Sequence, residues 1–130
     1  MISESESETT DEHGLLTRQI IGCAMKVSRR LGVGFLEKVY ENCLAIELRH
    51  LGMNVLQQQK VKVFYEGVVV GDYTADLIVN QTVLLELKAA KAIDSIHEAQ
   101  ILNYLRASLL RIGLILNFGT PKLGIKRLVL

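Results

Sequence analysis

The sequence has few of the residues that build metal clusters, disulfide frameworks or membrane spans. Its 130 residues include only two cysteines and three histidines, and these are not clustered. Cys23 and Cys43 lie in helix-like patterns without a CxxC spacing, so neither a disulfide framework nor a zinc site is indicated. The chain also lacks a run of about 18 apolar residues, which a membrane-spanning helix requires. These absences favour a non-membrane protein with reduced thiols.

Basic residues are missing from the start of the chain. Residues 1–15 contain five acidic and no basic residues, a net charge of −5. A secretory signal needs a basic patch followed by an apolar segment, so this start predicts a cytoplasmic protein. Residues 1–13 are rich in Ser, Glu and Thr and offer almost nothing to bury, and we predict a disordered acidic tail there.

The remainder of the chain is basic and apolar. Residues 16–87 carry a net charge of +1, and residues 88–130 hold seven basic and two acidic residues, giving +5. A basic surface is compatible with a polyanionic partner such as nucleic acid, although charge alone does not identify one. With 49% hydrophobic residues overall, residues 14–130 can form a single domain with its own core.

Three segments have the apolar spacing of helices. In the first, residues 15–31, the predicted buried stripe is Leu16, Ile20, Ala24, Val27 and Leu31. The second follows the GVG turn at 32–34 and covers residues 35–51, with the stripe Leu36, Val39, Cys43, Leu44 or Ile46, and Leu48. The third runs from Ser95 to about Leu110, because Ser95 and Glu98 have the spacing of a capping box.

Five segments favour β-strands. VLQQQKVKVFY and VVVGDYTADLIV flank a Glu66-Gly67 turn, and VLLELKA, IGLILNFG and IKRLVL follow. A helix connects VLLELKA to IGLILNFG, so these strands are predicted to be parallel neighbours joined by a right-handed crossover. The sequence therefore predicts an α/β fold, a mixed β-sheet flanked by helices in the order α-α-β-β-β-α-β. IKRLVL would add an edge strand that could pair with a second copy, giving a homodimer.

Charged residues interrupt two of these apolar strands. Side chains alternate along a strand, so Glu86 and Lys88 share one face with Leu84. Asp76 interrupts the preceding strand in the same way. Either these charges end their strands in solvent, or they face a common site.

The length of the loop between the two strands decides whether the acids meet. A two-residue loop, Asn80-Gln81, would place Glu86 opposite Ala75. A three-residue loop that includes Thr82 would place Asp76 directly opposite Glu86, with about 5 Å between Cβ atoms. Three-residue hairpin loops are common, and we favour that register.

Adjacent carboxylates repel each other unless a divalent cation joins them or one takes up a proton. Oxygen ligands suit Mg²⁺ or Mn²⁺. A lysine on the same face, Lys88, could orient a water molecule or stabilise an anionic transition state, which suits phosphodiester hydrolysis. The alternative is a surface Asp76 and an exposed Glu86–Lys88 pair, since such short patterns often occur by chance.

Two helices carry polar residues that could border the same cleft. In the third helix His97, Gln100 and Tyr104 lie on one face, which a plain solvated face would also explain. Glu37 and Tyr40 share a face of the second helix just after the glycine turn. Alone, Glu37 is an ordinary first-turn acid favoured by the helix dipole.

Four segments together resemble a known family. GFLEKVY, ADLIVNQTVLLELKA, HEAQILNYL and LGIKRLVL are similar to the GxxExxY family, whose naming motif Gly34, Glu37 and Tyr40 match. That family is similar to the PD-(D/E)XK, or restriction-endonuclease-like, nuclease superfamily. The resemblance covers nearly all of residues 15–130 and implies a restriction-endonuclease-like core.

The resemblance also implies a function and roles for particular residues. It implies a divalent-metal-dependent nuclease that uses Mg²⁺ or Mn²⁺ and acts on nucleic acid, with DNA favoured. The implied metal ligands are Glu37, Asp76 and Glu86, with the main-chain carbonyl of Leu87. The implied catalytic residues are Asp76, Glu86, Lys88, Gln100 and Tyr104, of which the last two match a QxxxY helix motif.

The chain departs from the family pattern at two points. Ala75 stands where the superfamily name has proline, and the sequence contains no separate segment for reading nucleic acid. A non-catalytic nucleic-acid or protein binding module on the same fold is therefore the alternative.

Overall fold

The computed structural model describes residues 12–130, which form three helices and five strands. In chain order these are α1 (Glu12–Leu31), α2 (Glu37–His50), β1 (Val55–Tyr65), β2 (Val68–Val79), β3 (Val83–Lys88), α3 (Ser95–Ser108), β4 (Ile112–Asn117) and β5 (Gly124–Val129). The predicted order of elements is confirmed. Residues 1–11 of the acidic tail that is predicted over residues 1–13 lie outside the described residues.

The strands form one mixed sheet in the order β1-β2-β3-β4-β5. Strands β1, β2 and β3 form an antiparallel meander, whereas β3 and β4 are parallel, as the helix between them predicted. Strand β5 runs antiparallel to β4 and lies at the edge of the sheet. The α/β class predicted from the sequence is therefore confirmed.

Helices cover both faces of the sheet. On one face, Leu85 and Leu87 of β3 belong to the core cluster that includes α1 and α2. On the other face, Leu84 packs with Ile101 and Leu105 of α3. Because both of its faces are covered, β3 needs apolar side chains on both, and this accounts for its leucine-rich sequence. No helix within residues 12–130 combines the length and the apolar character needed to cross a membrane.

The buried face of α2 differs from the predicted stripe. Leu36, at 80% exposure, and Ile46 face solvent instead of the core. The side chains that the helix buries are Tyr40, Glu41, Leu44, Ala45 and Leu48. The apolar residues of α2 are spread around much of its circumference, so their spacing in the sequence does not identify one buried face. Contact with the sheet selects it, because the Tyr40 ring stacks on Phe118 with 4.7 Å between centroids.

The cap of α3 also differs from the prediction by one residue. Asp94, rather than Ser95, is the N-cap, and its carboxylate accepts a backbone N–H of the first turn. The Asp94 N–H in turn donates to His97 Nδ1 at 3.3 Å. Glu98, the predicted partner of the cap, instead lies 3.5 Å from Lys126 of β5. Aspartate and serine are comparably good caps, so the local sequence does not separate them.

The last residue of β4 and the two residues after it hold the segment at and after the end of β3. Asn117 is buried, and its side chain accepts the Ala90 N–H at 3.0 Å and donates to the Ala90 carbonyl at 2.9 Å. The Phe118 N–H donates to the Lys88 carbonyl at 2.8 Å. Gly119 lies so close to the Ala90 backbone that a Cβ atom there would overlap it. These hydrogen bonds and this close contact fix the position of the main chain at the end of β3.

We predict that Gly119→Ala lowers the free energy of unfolding by about 1–3 kcal/mol, because the added methyl group must displace main chain. Gly22→Ala is the matched control, since a Cβ at Gly22 meets no atom within 4 Å outside its own helix. Alanine at that helical position should stabilise the protein by about 0.8–1 kcal/mol. Urea unfolding followed by circular dichroism measures both variants, and equal stabilities would contradict the close approach at Gly119.

Candidate active site at the end of β3

The loop between β2 and β3 has the predicted three residues. Val79 pairs with Val83, and the ladder ends two residues further along each strand. Beyond it, Asp76 Oδ2 accepts the Leu87 N–H at 2.8 Å. The three-residue loop and the register of these pairs are confirmed, but Asp76 and Glu86 are not themselves paired across the two strands. The Asp76 carboxylate instead reaches the part of β3 that carries Glu86 by accepting the Leu87 N–H.

Glu86 is largely withdrawn from water at this end of β3. The pKa of Glu86 is raised to about 7, chiefly by burial; the charge of Lys88 and a hydrogen bond from the Asp76 backbone oppose the rise, and Glu37 and Glu41 of α2 add to it. Its Oε1 atom is buried and has no hydrogen-bond partner within residues 12–130. Near neutral pH this carboxyl group therefore favours holding a proton or binding a cation.

Asp76 lies in a similar environment. Burial raises the pKa of Asp76, and the hydrogen bonds from Leu87 and Gln58 oppose that rise. Glu41 and Glu37 also raise it. The same two helical acids thus act on both strand acids, so carboxylates from two strands and one helix share a region. We call this region the acidic cluster, and it consists of Glu37, Glu41, Asp76 and Glu86.

Glu37 joins the start of α2 to the end of β3. Its Oε2 accepts the Ala89 N–H at 3.2 Å, directly after Lys88. Its side chain is exposed, so it lies at the rim of the acidic cluster rather than beneath it. The predicted helical acid is thus close to the two strand acids, although it is 39 residues or more from either in the chain.

The glycine turn before α2 sets the position of Glu37. Gly34 has a φ of +111°, which glycine adopts without steric strain. The Tyr40 hydroxyl donates to the Gly32 carbonyl at 2.6 Å and accepts the Phe35 N–H at 3.3 Å. In this motif the glycine forms the turn, the tyrosine hydroxyl stabilises the turn by hydrogen bonds, and the glutamate binds the main chain directly after β3.

Glu41 is the member of the acidic cluster that the sequence did not reveal. It is only 3% exposed and accepts hydrogen bonds from Lys38 at 2.8 Å, Gln57 at 2.7 Å and Gln58 at 2.6 Å. A glutamate in an amphipathic helix is ordinarily expected in solvent. Its spacing of four residues from Glu37, which places both on one helical face, is the signal that could have indicated it.

The other predicted catalytic residues differ in their relation to this cluster. Lys88 is partly buried and near enough to Glu86 to lower its pKa. Gln100 is exposed on α3, and the ring of Tyr104 stacks on Tyr73 of β2 with 3.4 Å between centroids. Across residues 12–130, no hydrogen bond joins Gln100 or Tyr104 to the four acids. Their catalytic role stays a prediction.

Two observations bear on whether these residues suit a divalent cation. The unpartnered Glu86 oxygen and the raised pKa values of Glu86 and Asp76 are what a cation would relieve. However, no three His, Cys, Asp or Glu side chains in the described part of the chain are arranged to hold a metal ion. The candidate donors are all oxygen atoms, which suits Mg²⁺ or Mn²⁺, and Mg²⁺ often takes only one or two carboxylates together with water and substrate oxygens.

The fold and these acids define an α/β protein with a restriction-endonuclease-like core and carboxylates on two adjacent strands, beside the end of β3. A family model described as the PD-(D/E)XK nuclease superfamily matches residues 15–128. The chain belongs to this superfamily. No curated protein and no solved structure matches the chain significantly. The resemblance is thus confirmed for the superfamily, and the narrower GxxExxY grouping stays a prediction.

Glu86→Gln should change how stability depends on pH. The folded-state pKa of Glu86, about 7, lies above its ordinary value of 4.5, so the folded protein holds this proton more tightly than the unfolded chain. The resulting stabilisation is complete below about pH 4.5 and is lost as the pH rises to about 7. In metal-free protein we expect Glu86→Gln to raise the free energy of unfolding above pH 7 by up to about 3 kcal/mol.

Urea unfolding in the presence of a chelator, from about pH 4 to pH 9, measures this effect. Glu66→Gln is the control, because Glu66 is exposed in the turn between β1 and β2. It should reproduce the wild-type pH profile, whereas Glu86→Gln should flatten the profile between about pH 4.5 and pH 7. A wild-type slope in Glu86→Gln would contradict the burial of an ionisable group at this position.

Tyr40→Phe should loosen the glycine turn without removing the aromatic stack on Phe118. We expect the free energy of unfolding to fall by about 1–3 kcal/mol, because the Gly32 carbonyl loses its hydroxyl donor. Tyr65→Phe is the matched control, since Tyr65 is 66% exposed. Urea unfolding compares the two, and equally small effects would show that the hydroxyl does not hold the turn.

Proposed function

We propose that this protein is a divalent-metal-dependent nuclease that hydrolyses phosphodiester bonds of nucleic acid. The observation that carries the proposal is Glu86, which has a buried, unpartnered oxygen and a pKa of about 7 beside Asp76. Leaving a buried carboxylate unpaired is unfavourable, and a bound cation would offset that penalty. Membership of a nuclease superfamily supports the same interpretation.

Three members of the acidic cluster would take part in metal binding, two of them as direct ligands and one from the rim of the site. Asp76 and Glu86 would hold Mg²⁺ or Mn²⁺ directly, with the main-chain carbonyl of Leu87 as a further ligand. Glu37 would act from the rim, where its carboxylate is bound to the Ala89 N–H. This ligand set consists of oxygen atoms alone, which favours these hard cations over zinc.

A bound cation would supply positive charge beside the scissile phosphate and lower the pKa of a bound water molecule. Lys88 would orient the attacking water or neutralise charge on the phosphate oxygens, because it lies partly buried beside Glu86. Gln100, which is exposed on α3, would contact the nucleic acid. Tyr104, whose ring stacks on Tyr73, would support the site.

Cleavage assays on the purified protein test the proposal with single- and double-stranded DNA and RNA. We expect cleavage that requires Mg²⁺ or Mn²⁺, is abolished by a chelator and prefers DNA. Glu86→Gln and Lys88→Ala should each lower the rate by about 100-fold or more. Glu66→Gln and Lys91→Ala, both at exposed positions, should retain wild-type rates.

Absence of cleavage for every substrate with both metals would contradict the nuclease proposal. Cleavage that persists unchanged in Glu86→Gln would point to a contaminating enzyme. Folding of each variant is checked by circular dichroism, so that a loss of activity is not confused with a loss of structure.

The second candidate function is a non-catalytic nucleic-acid or protein binding module on the same fold. Two observations favour it: no three-ligand metal group is present within residues 12–130, and residues 88–130 carry a net charge of +5. Binding to DNA would then weaken with salt. It would also be unchanged when Asp76→Asn and Glu86→Gln are combined, a result that separates this function from the enzyme.

Two proposals concern the protein as a whole. One is a cytoplasmic location, which suits a chain whose Cys23 and Cys43 are both free thiols. A homodimer could form through β5, which lies at the sheet edge and exposes Ile125 and Val129. Light scattering measures whether the protein is a dimer in solution. Val129→Lys should disrupt a dimer that pairs through β5.

A further inference from the structure

Gln58 has a backbone conformation that is rare inside a strand. Its φ is +54°, although β1 pairs with β2 at the residues on both sides of it, Gln57 and Gln59. Residues with a Cβ atom disfavour this left-handed region and keep it where the surrounding structure enforces it, often at functional sites. Something in the fold therefore holds Gln58 in this conformation.

The side chain of Gln58 connects α2 to β2. Its amide nitrogen lies 2.6 Å from Glu41 Oε1 and 3.4 Å from Asp76 Oδ1. An amide group has two N–H donors, so one nitrogen can serve both carboxylates. Glu41 is a fixed anchor for this bridge, because it is buried and also accepts hydrogen bonds from Gln57 and Lys38.

We propose that Gln58 is a positioning residue, which orients the Asp76 carboxylate for metal binding by tying it to the buried Glu41. The inference rests on the proposed function, in which Asp76 is a metal ligand. Leu87 N–H holds one oxygen of Asp76 at 2.8 Å, and Gln58 holds the other. Together the two contacts set the rotation of the carboxylate about its side-chain bond.

The chemistry of glutamine suits this position. A neutral amide donates to both carboxylates without adding positive charge, so the negative charge of Asp76 stays available for a cation. A lysine or arginine at the same place would pair with Asp76 and compete with the ion. Hydrogen bonds to a ligating carboxylate commonly determine how well a site binds its metal.

Titration of the purified protein with Mn²⁺ by isothermal calorimetry tests the proposal. Gln58→Gly removes the amide and adopts the left-handed backbone freely. Gln58→Asn keeps an amide and tolerates that backbone, but its side chain is one methylene shorter and cannot span both carboxylates. We expect both variants to bind Mn²⁺ about 10-fold more weakly, or weaker still.

Gln81→Gly is the matched control. Gln81 is exposed in the loop between β2 and β3 and has a φ of +52°, so glycine brings the same backbone relief away from the acidic cluster. Its Mn²⁺ affinity should equal that of the wild type. Asp76→Asn is the positive control and should lose most of the binding.

The outcomes separate this inference from the proposed function. Wild-type affinity in a folded Gln58→Gly or Gln58→Asn variant would overturn the role of Gln58 and leave the proposed function in place. A lower melting temperature with unchanged affinity would show that Gln58 supports only the fold, which also overturns the inference. Absence of Mn²⁺ binding by the wild type would overturn the proposed function and this inference together.

Discussion

A carboxyl group that is buried without a full set of partners destabilises the protein that contains it, and the structure of this protein is organised around such a group. Glu86 lies at the end of a strand whose two faces are covered by helices, so water has little access to it. Lys88 favours the ionised form of Glu86, and the acids of α2 oppose it. Such an arrangement is poor for stability but suits a site that binds positive charge.

Two of the acids accept main-chain N–H groups at the end of β3 or directly after it. Asp76 accepts the Leu87 N–H, and Glu37 accepts the Ala89 N–H. On the far side, Asn117 binds both polar groups of the Ala90 backbone. Residues of α2, β2 and β4 therefore form hydrogen bonds with the main chain at the end of β3. These bonds restrict the position of the backbone that carries Glu86 and Lys88.

Some of these features could be predicted because they follow from short-range rules. The three-residue loop between β2 and β3 was favoured over a two-residue loop because such hairpin loops are common, and it brings Asp76 toward β3. The parallel pairing of β3 and β4 follows from the helix between them. The face of α2 did not follow, because its apolar residues surround the helix and the stack of Tyr40 on Phe118 decides which side is buried.

By itself, the sequence determined the order of elements and the parallel pairing of β3 with β4, and it limited the register of β2 and β3 to two alternatives. These depend on alternation, loop length and connection rules that act over a few residues or one crossover. Only the tertiary structure decided that Glu41 is buried, that Asp94 rather than Ser95 caps α3, and that Gln58 bridges two carboxylates. The first and last of these are contacts between elements distant in the chain, and the cap is a choice between two adjacent residues of similar propensity. Local rules specify neither contacts between distant elements nor a choice between two adjacent capping residues of similar propensity.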